Sequence, residues 1–177
     1  TAGSDNLGVN LHTTLHDEQG TWRFGFDAFG AKHNSDIDNP NSATFFVTNF
    51  NDAKREVYGT FIERQQELNC AWRAEIGARY NRVEMDADTV NGTPAMMMTP
   101  AQMLRDAFNN ADRDQNDNNV DLVAKVWFRS GDKTSWYAGI AQKYRSPSYQ
   151  ERYLWLPLEA TGGLADGYTY TGNINLD

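Results

Sequence analysis

Taken in steps of two, residues 70 to 82 place Trp72, Ala74, Ile76, Ala78 and Tyr80 on one side and Arg73, Glu75, Gly77, Arg79 and Asn81 on the other. A side-chain period of two belongs to a β-strand with one dry and one wet face. The same alternation sets Leu7, Val9, Leu11, Thr13 and Leu15 against Gly8, Asn10, His12, Thr14 and His16. It sets Val120, Leu122, Ala124, Val126 and Phe128 against Asp121, Val123, Lys125, Trp127 and Arg129. The pattern predicts about seven strands, at 6–16, 20–33, 53–67, 70–84, 119–129, 134–146 and near 168–176. Even-numbered residues of 70–82, 119–129 and 134–144 are expected on the dry face. In 53–67, Val57, Gly59 and Phe61 suggest the opposite phase, which Ile62 interrupts. Strands of roughly nine to fifteen residues, some with an aromatic near one end, match what a membrane-spanning barrel requires.

The links between these strands alternate in length. Short turns are expected at His16-Asp17-Glu18-Gln19-Gly20, Leu68-Asn69-Cys70 and Ser130-Gly131-Asp132-Lys133, where Gly, Asn and Asp tolerate a positive φ. Long links fall at about 34–52, 85–118 and 147–167. A meander with its tight turns at one end and its long loops at the other is the sequence pattern of an outer-membrane barrel. A sandwich mixes the two lengths at both ends. Within the longest link, Thr99-Pro100 predicts a short helix through Met103, Leu104, Ala107 and Phe108 that ends near Asn109-Asn110. The fold class expected is therefore all-β, an antiparallel meander forming part of a transmembrane barrel.

Composition first argues against this, since 23% of residues are charged and the mean hydropathy is -0.69. Barrels evade that test, because only every second strand residue meets lipid and the loops are polar. No window approaches the length of a transmembrane helix. The chain of 177 residues begins at Thr1 without an apolar leader, so a mature or excised segment is expected. Its single cysteine, Cys70, has no internal disulfide partner. A net charge of -8 and the lack of a basic stripe exclude nucleic acid as a partner.

Candidate chemistry is sparse. His12, His16 and His33 lack metal-ligand spacing, and there is no His-x-x-x-His, Cys-x-x-Cys, nucleophile elbow or phosphate loop. No enzymatic activity and no cofactor are expected. Between 84 and 118, Glu84, Asp86, Asp88, Asp106, Asp112, Asp114 and Asp117 face only Arg105 and Arg113. Such a loop is either a solvated surface or a field that gathers cations. Met96, Met97 and Met98 stand together in the same link, with Met85 before and Met103 after. Met96, Met97, Met98 and Met103 are candidate soft-metal ligands, since thioether sulfur suits reduced copper. The alternatives are adaptable packing of the loop helix on the barrel wall and hydrophobic ligand contact.

Two stretches point to a family. Asn49-Phe50-Asn51-Asp52-Ala53-Lys54-Arg55-Glu56-Val57-Tyr58-Gly59-Thr60-Phe61-Ile62-Glu63-Arg64-Gln65, followed by Trp72 to Tyr80, resembles a strand pair of TonB-dependent outer-membrane receptors. The run from Tyr137 to Tyr153, with its Arg145-x-Pro147-x-x-x-Glu151 segment, resembles a strand and outer loop of the same family, completed by Gly172-Asn173-Ile174-Asn175-Leu176. The order and spacing of these pieces cover most of residues 20–177.

The resemblance implies active import of a scarce ligand, often a metal ion or metal chelate, across the Gram-negative outer membrane. It implies partners in membrane lipid, the plug and remaining strands of the receptor, and the TonB complex. This chain shows no plug domain, no TonB box and no terminal aromatic strand, and its seven strands are fewer than the family's twenty-two. An interior barrel segment over 1–177 is therefore expected. Ligand contact is assigned to the loop aromatics Phe45, Phe46, Tyr149, Tyr153 and Trp155 and to Lys143 and Arg145 near the outer mouth. Arg23, Asp27, Glu56, Arg64, Arg73, Glu75, Arg79, Asp121, Lys125, Lys143 and Arg145 are expected in the lumen, as a polar seat for the plug or as a path for an anionic chelate. Trp22, Tyr80, Trp136 and Tyr144 are expected in interfacial girdles. A passive porin-like or structural barrel, and a soluble β-rich binding module, are the rival readings.

Overall fold

The computed structural model describes residues 1–157 and 170–176. Seven strands and three short helices follow in the order β1 (Ala2–Asp17), β2 (Gly20–Asn39), β3 (Ser42–Glu67), β4 (Trp72–Asp86), β5 (Asn91–Gly92), α1 (Thr93–Met97), α2 (Thr99–Asn110), β6 (Gln115–Arg129), β7 (Ser135–Gln142) and α3 (Tyr149–Tyr153). The main sheet is an antiparallel meander, β1-β2-β3-β4-β6-β7, and β5 adds a two-residue ladder to β3. Among the described residues β1 and β7 each pair on one side only. No described helix is long and apolar enough to cross a membrane.

Register fixes which side chains share a face. Trp72 pairs with Phe128, and Phe128 with Trp136; Ile76 pairs with Ala124, and Ala124 with Ile140. Even-numbered positions of β4, β6 and β7 thus form one exposed apolar face, as the alternation predicts. Leu15 pairs with Trp22 and Leu11 with Phe26, so β1 and β2 extend the same face. Aromatic side chains bound it, with Trp22, Trp72, Phe128 and Trp136 toward the tight turns and Tyr58 and Tyr80 toward the long links. From Trp72 to Tyr80 the belt runs about nine residues, the length a tilted strand needs to cross hydrocarbon.

The phase of β3 is the reverse of the one its sequence favours. Phe61 lies opposite Arg79 and Glu63 opposite Gly77, so odd positions of β3 join the charged face. Phe61 is not surplus there: its ring covers Gly25, where any Cβ would strike it. Glu56 and Arg64 therefore lie on the apolar face, not in the lumen. Arg64 is accommodated near the turn end by two bonds to Asp17, at 2.6 and 3.1 Å, and by Trp22, whose ring centre is 5.1 Å from the guanidinium carbon.

Two links also depart from expectation. Residues 34–52 do not form a loop; β2 and β3 continue as a hairpin that turns at Pro40 and Asn41, where Asn39 Oδ1 accepts from the Asn41 amide at 2.9 Å. Bulges near Ser35 interrupt its register, and Asp52 adopts a positive φ of 48° there. Ile37, Val47 and Phe50 hold this extension because they pack into the core. The strand expected at 134–146 ends at Gln142. Of the strand expected near 168–176, residues 170–176 contain a turn and no strand; the remainder lies outside the described residues.

The buried core is not in the belt. Val47, Phe50 and Ala53 of β3 and Val83 and Met85 of β4 pack with Ala87, Val90, Ala95, Ala101 and Phe108 of the long link, and with Tyr153, Leu154, Trp155, Leu156 and Ile174. Val83 and Met85 occupy the same face as Glu75 and Arg79, so the long links fold onto the charged side of the sheet.

Candidate functional site

The charged face is built of pairs. Arg79 Nη2 donates to Asp27 at 2.7 Å while its Nε donates to Asn81 Oδ1 at 2.7 Å. Gly59 makes this possible, since a Cβ there would collide with both Arg79 and Asp27. Lys125 Nζ reaches Glu75 at 2.6 Å, and Arg23 lies 3.7 Å from Glu63. Arg73 lies over the Trp127 ring, 4.3 Å from its centre. Cation and carboxylate alternate across four strands, so the wall is polar without a strong net field. A pocket of about 240 Å³ on this face is lined by Phe61, Glu63, Arg79, Asp121 and Lys143 among others.

At the long-link end of the sheet, the two pieces of the second family-like stretch, residues 145–153 and 172–176, meet. Glu151 accepts from Arg145 Nη1 and Nη2 at 2.7 and 2.9 Å and from the Ser148 amide at 2.7 Å, while Ser148 Oγ caps the helix by accepting from the Glu151 amide at 3.3 Å. This capping box starts α3 just after Pro147. The Arg145 guanidinium and the Ser148 amide hold the Glu151 carboxyl down at about 2. Gly172 then passes so close to the Arg152 carbonyl that no side chain fits, and the Gly172 amide donates to Leu154 O at 2.6 Å.

On the buried side of α3 is Arg152, with 1% of its surface exposed. It donates to Asp117 Oδ1 at 2.7 Å, to Leu176 O at 2.8 Å and to Met85 Sδ at 3.5 Å. Arg113 donates to the carbonyls of Ala87, Phe108, Asn109 and Ala111 and so closes the end of α2. Asn109 mimics a strand, accepting from the Val90 amide and donating to its carbonyl, both at 2.9 Å. Sequence reasoning missed all three as organisers. The available signal was the position of Arg152 directly before the apolar run from Tyr153 to Leu156.

The sequence-predicted ligand residues divide. Tyr153 and Trp155 are core residues, 1% and 3% exposed, which donate to Arg113 O at 2.8 Å and Thr48 O at 3.0 Å. Burial raises the Tyr153 phenol above its ordinary range. Tyr149 stacks on His33 at 4.2 Å and meets the edge of Phe50. Phe45 packs partly buried against the core, whereas Phe46 and Lys143 are open to solvent. Arg145 is engaged by Glu151.

Met85 is fully buried, but Met96, Met97, Met98 and Met103 are 59, 79, 59 and 67% exposed. The expected helix is α2, and Thr93-Pro94 starts a second one, α1, by the same signal. Ala95, Ala101 and Phe108 are the buried residues of the two helices. Among the described residues no three His, Cys, Asp or Glu side chains form a group able to hold a metal.

Residues 2–177 match the family model described as TonB dependent receptor-like, beta-barrel. No curated protein and no solved structure matches the chain. Members of the family are outer-membrane transporters of Gram-negative bacteria linked to TonB, not enzymes. Since the match takes in every strand of the sheet and both stretches that carry the resemblance, the chain belongs to the TonB-dependent receptor-like β-barrel family.

Proposed function

We propose that this chain forms a sector of wall and outer mouth in a receptor that imports a metal ion or metal chelate, with its plug, remaining strands and TonB contact supplied from outside residues 1–177. The observation that supports the reading best is the packing of residues 87–108 and 153–156 onto the charged face, which narrows the lumen beneath a platform. A mouth of that kind suits capture before transport, whereas free diffusion asks for an open entrance. The paired charges below it give a plug a polar surface that stays neutral overall.

Cells carrying the full-length receptor, fed radiolabelled iron chelate or copper, should accumulate label. Collapse of the proton gradient or deletion of TonB should abolish that accumulation. Accumulation that survives both treatments would point to a passive barrel instead. Failure to accumulate either metal would remove the metal from the reading while leaving TonB-linked transport intact.

A further inference from the structure

Methionine is normally a core residue, and four of the five in this chain are not. The packing of α1 and α2 is done by Ala95, Ala101 and Phe108, with Leu104 partly buried against the same core. Met96, Met97, Met98 and Met103 are left on the open side of the same two helices, which touch each other at the extended Met98. Packing among the described residues does not account for them. Four thioethers, each on a stem with three rotatable bonds, fall within eight residues around the junction of α1 and α2.

The corner is also held still. Arg113 clamps the end of α2, and Asn109 ties that end to Val90. Thr93 Oγ1 accepts from the Phe46 amide at 3.0 Å and donates to Thr44 O at 2.9 Å, which ties α1 to β3. A backbone tied down at both helices and bearing long, unbranched thioether side chains lets a ligand set adapt without reorganising the loop. Thioether sulfur is neutral and soft, so it takes monovalent copper or silver and leaves zinc, calcium and magnesium to harder donors.

We infer that the α1–α2 corner is a binding site for a soft monovalent cation, copper(I) in its natural setting, held by thioethers drawn from Met96, Met97, Met98 and Met103. This deepens the import reading by naming an ion, yet the site is a property of the folded loop and is measured without transport. In the full-length receptor labelled with methyl-¹³C methionine, silver(I) is the redox-inert probe. Its addition should move the methyl resonances of these four residues and leave that of buried Met85 in place. Replacing the four by leucine keeps volume nearly constant, and should weaken silver binding by more than about tenfold, a change readily resolved by titration. Zinc should move none of the resonances. Shifts confined to other methionines, no shift at all, or unchanged affinity in the leucine variant would overturn the site. Should the site bind silver while TonB-dependent copper uptake is equal in the two proteins, the site stands and copper is removed as its transported cargo.

Discussion

Arg152 is charged, buried and held by groups from β4, β6 and the segment ending at Leu176. Its Nε and the second oxygen of Asp117 have no partner among the described residues, so the pair is only partly compensated. Removing one member of a buried pair typically costs about 3–5 kcal/mol, because the other charge stays behind in a poor solvent. Arg152→Met should lower thermal stability in detergent by an amount of that order, and adding Asp117→Asn should recover much of it. An additive double mutant would show the two groups to be energetically independent. Glu151 gives a second test at this scale. Its folded pKa lies below its ordinary value of 4.5, at about 2, so its contribution is complete above 4.5 and lost as pH falls toward 2. The protection of the Ser148 and Glu151 amides against hydrogen exchange, taken relative to the intrinsic rate at each pH, should fall across that window in the wild type, and Glu151→Gln should flatten the profile. Neither role could be read from residue type, since a sequence shows that position 152 is Arg but not that the chain closes over it.

Strands are the most legible elements here, because one alternation decides both their existence and their facing. Even positions of β4 and β6 should react with lipid-soluble maleimide after substitution by Cys, and odd ones with impermeant maleimide from water. With Cys70 replaced by Ser, Ile76→Cys and Asn81→Cys make the comparison direct; equal labelling of both by the impermeant reagent would contradict the two-faced sheet. The phase of β3 was illegible for a physical reason. Phe61 covers a glycine and Val57 packs against the core, so apolar side chains also occupy the charged face. The hairpin over 34–52 was hidden likewise, because its apolar residues answer to the packed links and not to lipid, and bulges break their alternation. Helix α1 is different: its Thr-Pro start is as plain as that of α2 but is followed by only one turn.

At the scale of the molecule, the sheet is a set of ladders with two unpaired edges among the described residues, β1 along 16 residues and β7 along eight. Open edges are intolerable in hydrocarbon and adhesive in water. Residues 1–177 expressed alone should aggregate or require further strands to stay dispersed, and a monodisperse soluble monomer with cooperative unfolding would contradict this. The candidate site was legible only as a composition. Sequence located the methionines and the loop aromatics, but only the fold separates exposed Met97 from buried Met85 and exposed Phe46 from buried Trp155.

The platform over the charged face draws its core from residues as far apart as Val47 and Ile174, and that has a consequence in time. No contiguous stretch can complete it, so it closes only after β3, β4 and β6 have met and the chain has been delivered through the stretch beyond α3. Contacts of such long range form late. The loop from 87 to 114 should accordingly remain open to protease on every partly inserted molecule and become resistant in a single late step, timed with the arrival of Gly172 beside Arg152. Pulse-chase proteolysis during membrane assembly would see resistance at 87–114 and at 149–156 appear together. The outer loop then serves as a seal on this sector of the wall: a chain stalled before Gly172 and Ile174 arrive displays an unclosed surface, visible to the cell's proteases as unfinished work.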